Sequence, residues 1–268
     1  MTSIVDWLAR QHAFVLFLVI LLLILVIAAV FVFVAERVFD EDARGRTSGS
    51  VTTAVGVVAA IYAVIVAFVI VNEWAAFADA QTTVSDESAA LVAVYSSASV
   101  LPEPGRTEIQ KAVIAYDRSV VCFELPRLAT HDGPAPESVA ALHHLYETVA
   151  ANPADSPFYG NVVSSLDDLV TARRERINAA VSPLPNLLLV VIVVISLALL
   201  ATIAALDTRH RRWHYLITAI VGLIVALNLT LVISLDRPFS GAAKVSDAPY
   251  REGVLDSLLN CSPARSAS

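Results

Sequence analysis

FVLFLVILLLILVIAAVFVFVA, residues 14 to 35, runs for 22 positions without an ionisable or amide side chain. At about 1.5 Å per helical residue this is enough to cross a hydrocarbon core of roughly 30 Å. A secretory leader is a poor alternative. The apolar core far exceeds the roughly 7 to 15 residues of such a segment, only Arg10 precedes it as a basic residue, and VFVAER makes a poor cleavage site. The stretch therefore reads as a membrane-spanning helix, and the rest of the chain is read outward from it.

Three further blocks repeat the pattern: AVGVVAAIYAVIVAFVIVN at 54–72, LLLVVIVVISLALLATIAAL at 187–206 behind the start signal SPLPN, and residues 215–235. These blocks are rich in β-branched residues, yet in lipid the backbone must satisfy its own hydrogen bonds, so isolated runs of this length are helices and not strands. Across all 268 residues, 57% are hydrophobic and 16% charged, with mean hydropathy +0.69, a balance that soluble domains rarely reach. Trp7, Trp74, Trp213 and Tyr215 stand at span ends, where amphipathic rings favour the headgroup layer.

The expected fold is an all-α membrane protein with four transmembrane helices arranged as two hairpins around an all-helical extramembrane region. The segments are an N-terminal piece at 1–13, a first hairpin at 14–72, the helical region at 73–186, a second hairpin at 187–235, and a tail at 236–268. In the helical region, residues 75–100 continue span two as a helix until LPEPG. A second helix follows Pro104 with Thr107 as its N-cap and Ile109, Val113, Tyr116 and Val120 on one stripe. A third opens near Ser138 after HDGPAPES. A fourth, at about 158–181, carries Val162, Leu166, Leu169 and Val170 and ends in ARRER.

Orientation stays open. Arg37, Arg44 and Arg46 lie in the loop after span one, and Arg209, Arg211 and Arg212 in the loop after span three, which favours those loops as cytoplasmic. Arg173, Arg174 and Arg176 before span three, with Arg237, Lys244 and Arg251 after span four, nearly balance that count on the other face. Cys122 and Cys261 share a face in any even-span topology. They are either a disulfide tying the tail to the helices, if that face is oxidising, or two unrelated small residues.

Chemistry is sparse. His143 and His144 are adjacent on a helix, diverge by about 100°, and have no further ligand at metal spacing, so a solvated pair is expected. DEDARG at 40–45 starts like a calcium loop but lacks the later ligands, and reads as a solvated interhelical loop. Phosphate-binding glycine loops, nucleophile elbows and HExxH are absent from the sequence, so neither an enzyme nor a cofactor is expected. A net charge of −7 argues against a nucleic-acid partner. The spans hold no ionisable residue between their ends, which disfavours an ion-coupled pump and leaves a passive pore or a non-conducting anchor. Gly56, Ala59, Ala60, Ala63 and Ala67 make one side of span two small, suited to a pore face or to close helix packing.

The order of two spans, helical region and two spans carries DESAALVAVYSSASVLPEPGR at 86–106, YDRSVVCFELPRL at 116–128, DDLVTARRERINAAVSPLP at 167–185 and LDRPFSGAAKVSDAPY at 235–250. This layout resembles the bacterial bestrophin-like family. Asn186 and Leu187 stand where that family often has a tryptophan. The resemblance implies a membrane-embedded homo-oligomer, a pentamer in bestrophins proper, that conducts small anions along span two and holds its helical body in the cytosol. The alternative function is a non-conducting membrane scaffold or envelope sensor acting through the helical region. In either case the bilayer of the cell membrane is the first partner.

LDRPFSG, at 235–241, sits where span four leaves the lipid. One account has Arg237 reach the headgroups while Pro238 stops the helix. The other is a structural clasp: Asp236 pairs with Arg237 or with Arg173, Arg174 or Arg176, Phe239 packs into the helical region, and Gly241 permits the turn. On the second account Asp236→Ala lowers the melting temperature in detergent and weakens any oligomer. An unchanged melting profile would assign the segment to interfacial anchoring alone.

Overall fold

The computed structural model describes residues 13–38, 41–130, 132–156, 158–181, 185–206, 211–240, 244–252 and 261. Gly241, the turn residue expected in the LDRPFSG clasp, lies outside them, as do Trp7 and Arg209. Among the described residues all regular structure is helical. The chain is an all-α membrane protein whose four long apolar helices are Phe14–Val38, Gly49–Ala98, Leu187–Ala204 and Arg212–Leu235. Contacts divide it into two compact units. The first comprises residues 1–75 with 183–236, and the second 76–182 with 237–268.

The helices of the first unit are α1 (Ala13–Val38), the leading part of α2 (Glu41–Ala98), α7 (Asn186–Ala204) and α8 (Arg211–Leu235). In α1 the buried positions are Leu16, Ile20, Ile24, Ala28 and Val32, spaced four apart, while Phe14, Leu18, Leu22, Val26 and Val30 face outward. A helix apolar all round buries one stripe against its neighbours and leaves the remainder for lipid. The stripe of α1 packs mainly on α8 and also on α7, in a core completed by Tyr62, Val66 and Val69 of α2, Ile192 and Leu200 of α7, and Val225 and Leu229 of α8. At Gly222 the approach of α8 to α1 is so close that an added Cβ would stand 3.3 Å from Ile24 Cγ2. Two polar pairs lie within this unit. Asn228 Nδ2 donates to Tyr62 Oη at 3.3 Å, and Ser196 Oγ donates back to the Ile192 carbonyl at 2.7 Å.

α2 begins earlier than expected. DEDARG, read above as an interhelical loop, is helical from Glu41 onward. No proline interrupts residues 41–98, and the glycine at 49 is bridged by Thr53 Oγ1, which donates to its carbonyl at 3.0 Å. Tolerated glycines lower helix propensity without ending a helix that is propagating.

The second unit contains the rest of α2, α3 (Gly105–Ser119), a π-helical turn (Val120–Glu124), α4 (Leu125–Ala129), α5 (Pro136–Ala151), α6 (Tyr159–Val181) and a 3-10 turn at Ala248–Arg251. Its core stripes follow the period of the helix: Ala80, Val84, Leu91, Val94 and Ala98 on α2, Ile109, Val113 and Tyr116 on α3, and Val162, Leu166 and Leu169 on α6. The start of α3 is capped differently from the sequence expectation. Glu103 accepts from Thr107 Oγ1 at 2.9 Å and from the Thr107 backbone N–H at 3.3 Å, so the carboxylate outside the helix does the capping while Thr107 donates to it. Gly133, with φ of 73°, makes the left-handed step in the turn before α5.

Candidate functional site

In the second unit three helical stripes each carry one residue that does not belong in an apolar core. On α2 it is Glu87, midway between Val84 and Leu91; on α3 it is Tyr116; on α6 it is Arg176, beyond Leu169 and Ala172. A fourth, Glu124, comes from the π-helical turn, and its side chain is fully buried. Pro126, which has no N–H, lies two residues beyond the end of this turn, and the Leu125 N–H reaches back five residues to the Val120 carbonyl. The widened turn shifts the register and aims Glu124 inward.

The four meet. Arg176 Nε and Nη2 both donate to Glu87, the second at 3.2 Å, and Nη2 also donates to Glu124 Oε1 at 2.5 Å. Tyr116 Oη donates to Glu87 Oε1 at 2.7 Å, and Arg173 Nη2 to Glu124 Oε2 at 2.7 Å. Two buried carboxylates are thus matched by two guanidinium groups, Arg176 fully buried and Arg173 partly exposed. Burial opposes the charge on Arg176, but Glu87, Tyr250 and Glu124 outweigh it and push its pKa well above the usual value. For Tyr116 and Tyr250, burial first and the Glu87 charge second push both phenols well up.

The tail closes over this cluster. Phe239, Val245 and Tyr250 are buried in the same core, the Arg237 and Pro238 carbonyls accept from Ser240 and Val245 N–H at 3.1 and 2.6 Å, and Ser88 Oγ donates to the Pro249 carbonyl at 2.6 Å. Cys122, inside the π-helical turn, is joined to Cys261 by a disulfide with the Cα atoms 5.5 Å apart. Beside the cluster Asp117 is 2% exposed with no hydrogen-bond partner on Oδ1. Burial, then the negative charge of Glu87, raise its pKa to about 7, against a smaller opposing pull from Arg251.

The residues singled out in the sequence fall as follows. Arg173 and Arg176, expected opposite Asp236, are held by Glu124 and Glu87, and Arg174 is exposed. Asp236 is half-buried and lies within electrostatic range of Glu73, a buried residue just past span two. Pro238 and Phe239 are buried. On α2, Gly56, Ala60, Ala63 and Ala67 are exposed and Ala59 is half-buried, whereas Tyr62, Val66 and Val69 face the bundle. His143 is exposed and faces Glu147 at 3.4 Å. Glu87, Glu124 and Asp117 were missed. Their signal is positional: each is an acid inside a run of core-spaced residues, and Glu124 also stands two places before a proline.

The model of the Bestrophin-like domain matches residues 22–250. The chain belongs to the bestrophin-like family. Among solved structures it is similar to a bacterial bestrophin homolog from Klebsiella pneumoniae. One point variant aligns with a TM-score of 0.63 at 13% identity, covering 91% of this chain and 94% of that one. Another aligns with a TM-score of 0.63 at 12% identity over 91% and 96%. At such identity the likeness is one of fold. Curated proteins give no match to this chain.

Two predictions follow from the bestrophin-like body. Arg176→Met strands Glu87 as a buried uncompensated charge and leaves Glu124 to Arg173 alone, and the expected loss is about 3–5 kcal/mol, measured as early or non-cooperative melting in detergent. For Asp117 the folded pKa lies above the unfolded one, so the stability it contributes is complete below about pH 3.8 and is lost as pH rises through about 7. The melting temperature should therefore fall between about pH 4 and about pH 7 and level off above, and Asp117→Asn should flatten that fall.

Proposed function

We propose that this protein is an oligomeric anion channel whose pore runs along the second membrane-spanning helix. The observation that carries this reading is the division of α2 into two faces. Gly56, Ala60, Ala63 and Ala67 lie on one line, exposed from the chain, while Tyr62, Val66 and Val69 anchor an adjacent side in the bundle. A face of small apolar side chains leaves room beside a symmetry axis and allows wetting to govern passage. It also carries no acidic group within the span that would repel an anion. Membership of the bestrophin-like family supports the same reading, and the family layout points to a pentamer.

The residues of the body take no part in catalysis on this reading. Their role is to hold the lower part of α2 in register, since Glu87 belongs to the same uninterrupted helix as the small-residue face. Lipid is the immediate environment, and no cofactor is invoked.

The reading is tested with purified protein in liposomes, recording chloride efflux and measuring particle mass in detergent. Anion efflux from an oligomer is expected. Ala63→Leu should lower efflux about tenfold at equal protein content by narrowing the small face, whereas Ile61→Leu, on the large apolar side of α2, should leave it unchanged. A monomer that passes no ions would instead favour a scaffold acting through the body.

A further inference from the structure

The second unit bears on orientation, a property independent of whether the protein conducts. Four spans place the helical body, the tail and the N-terminus on one face of the membrane. On that face the fold itself delivers Cys261 to Cys122. The tail is fixed upstream by Phe239, Val245 and Tyr250 in the core and by the Ser88 contact to Pro249, and the π-helical turn presents the other sulfur. The result is a covalent link across 139 residues of sequence. Such links persist in oxidising compartments and are kept reduced in the cytosol.

Charge weighs less against this once the folded positions are known. The arginines that balanced the topology count before span three include Arg173 and Arg176, which are part of the core of the body, bound to Glu124 and Glu87. They are not available to a membrane surface. Residues 73–105 contain no lysine or arginine at all. In sequence, the connections between spans one and two and between spans three and four carry Arg37, Arg44, Arg46, Arg209, Arg211 and Arg212, against Arg10, Arg174, Arg237, Lys244 and Arg251 on the body face, a small lean toward cytoplasmic connections.

We infer that the helical body, the tail and the N-terminus lie on the extracytoplasmic side, where Cys122 and Cys261 are oxidised to a disulfide that locks the tail over the ionic cluster. This is opposite to the cytosolic body that the family resemblance implies. In the oxidation each thiol gives up its proton and one S–S bond forms. The two electrons pass to a thiol–disulfide oxidant of that compartment, whose own disulfide becomes a dithiol.

The full chain is expressed in a bacterial inner membrane with Cys122→Ser and Cys261→Ser, and carries either Ala140→Cys, at an exposed position of α5, or Thr208→Cys, which falls between spans three and four in the sequence. A membrane-impermeant maleimide should label position 140 equally in intact and permeabilised cells and position 208 only after permeabilisation. The reverse pattern overturns the inference. The unaltered chain supplies a readout that does not depend on these variants. Cells are quenched with an alkylating reagent, and the Cys122 and Cys261 peptides should be alkylated only after reduction. Free, alkylated thiols before reduction overturn it as well. Absence of anion efflux, by contrast, would remove the channel reading and leave this orientation untouched.

Discussion

The Arg176 guanidinium, shared between Glu87 and Glu124, is the constraint on which the body of this protein depends. Its partners come from α2 and from the π-helical turn, 89 and 52 residues away in sequence. Glu87 in particular cannot be left without it, because an unpaired charge in a medium of low dielectric costs several kcal/mol, whereas Glu124 also has Arg173. Replacing the whole cluster with apolar side chains could match its stability. What the ions add is register. A sliding stripe of alanines and valines accepts several alignments, but Nε and Nη2 reach both carboxylates in one arrangement only.

The tail extends that arrangement. Tyr250 brings a phenol to the Glu87 side of the cluster, and the disulfide holds the chain beyond it to the same π-helical turn that supplies Glu124. Asp117 is the one buried acid here without a matching cation in hydrogen-bond contact, and Arg251 of the tail provides the opposing field. Any loosening of the tail thus removes the positive field that Arg251 places on Asp117. Protonation of Asp117 and seating of the tail are linked through this geometry.

The spans were legible because lipid imposes a rule that composition alone reveals: every residue of a long stretch must be apolar, whichever way it faces. The body stripes were legible from period alone, as Ile109, Val113 and Tyr116 or Val162, Leu166 and Leu169 demonstrate. The cluster was not. ARRER reads as a solvated helix end, because long basic side chains are seldom fully buried, and only continuing the Val162–Leu166–Leu169 stripe by two turns puts Arg176 inside. Glu87 falls on its own stripe in the same way. That the two belong together, and that a π-helical turn would add Glu124, depends on how three helices pack, which no single periodicity contains. The capping of α3 by Glu103 and the early start of α2 were lost for a more local reason. Competing donors and acceptors within a few residues differ in energy by less than sequence patterns resolve.

Division of labour between the two units explains why so simple a set of spans suffices. In the membrane, apolar side chains gain nothing from leaving lipid for one another, so helix association rests on close packing and a few polar contacts. Here those are the Gly222 approach to Ile24 and the Asn228–Tyr62 pair. Such sparse contacts fix a bundle weakly, whereas the ionic cluster fixes the continuation of α2 firmly through Glu87. α2 itself is continuous from Glu41 to Ala98, and within the body Glu87 fixes its alignment against α6 through Arg176.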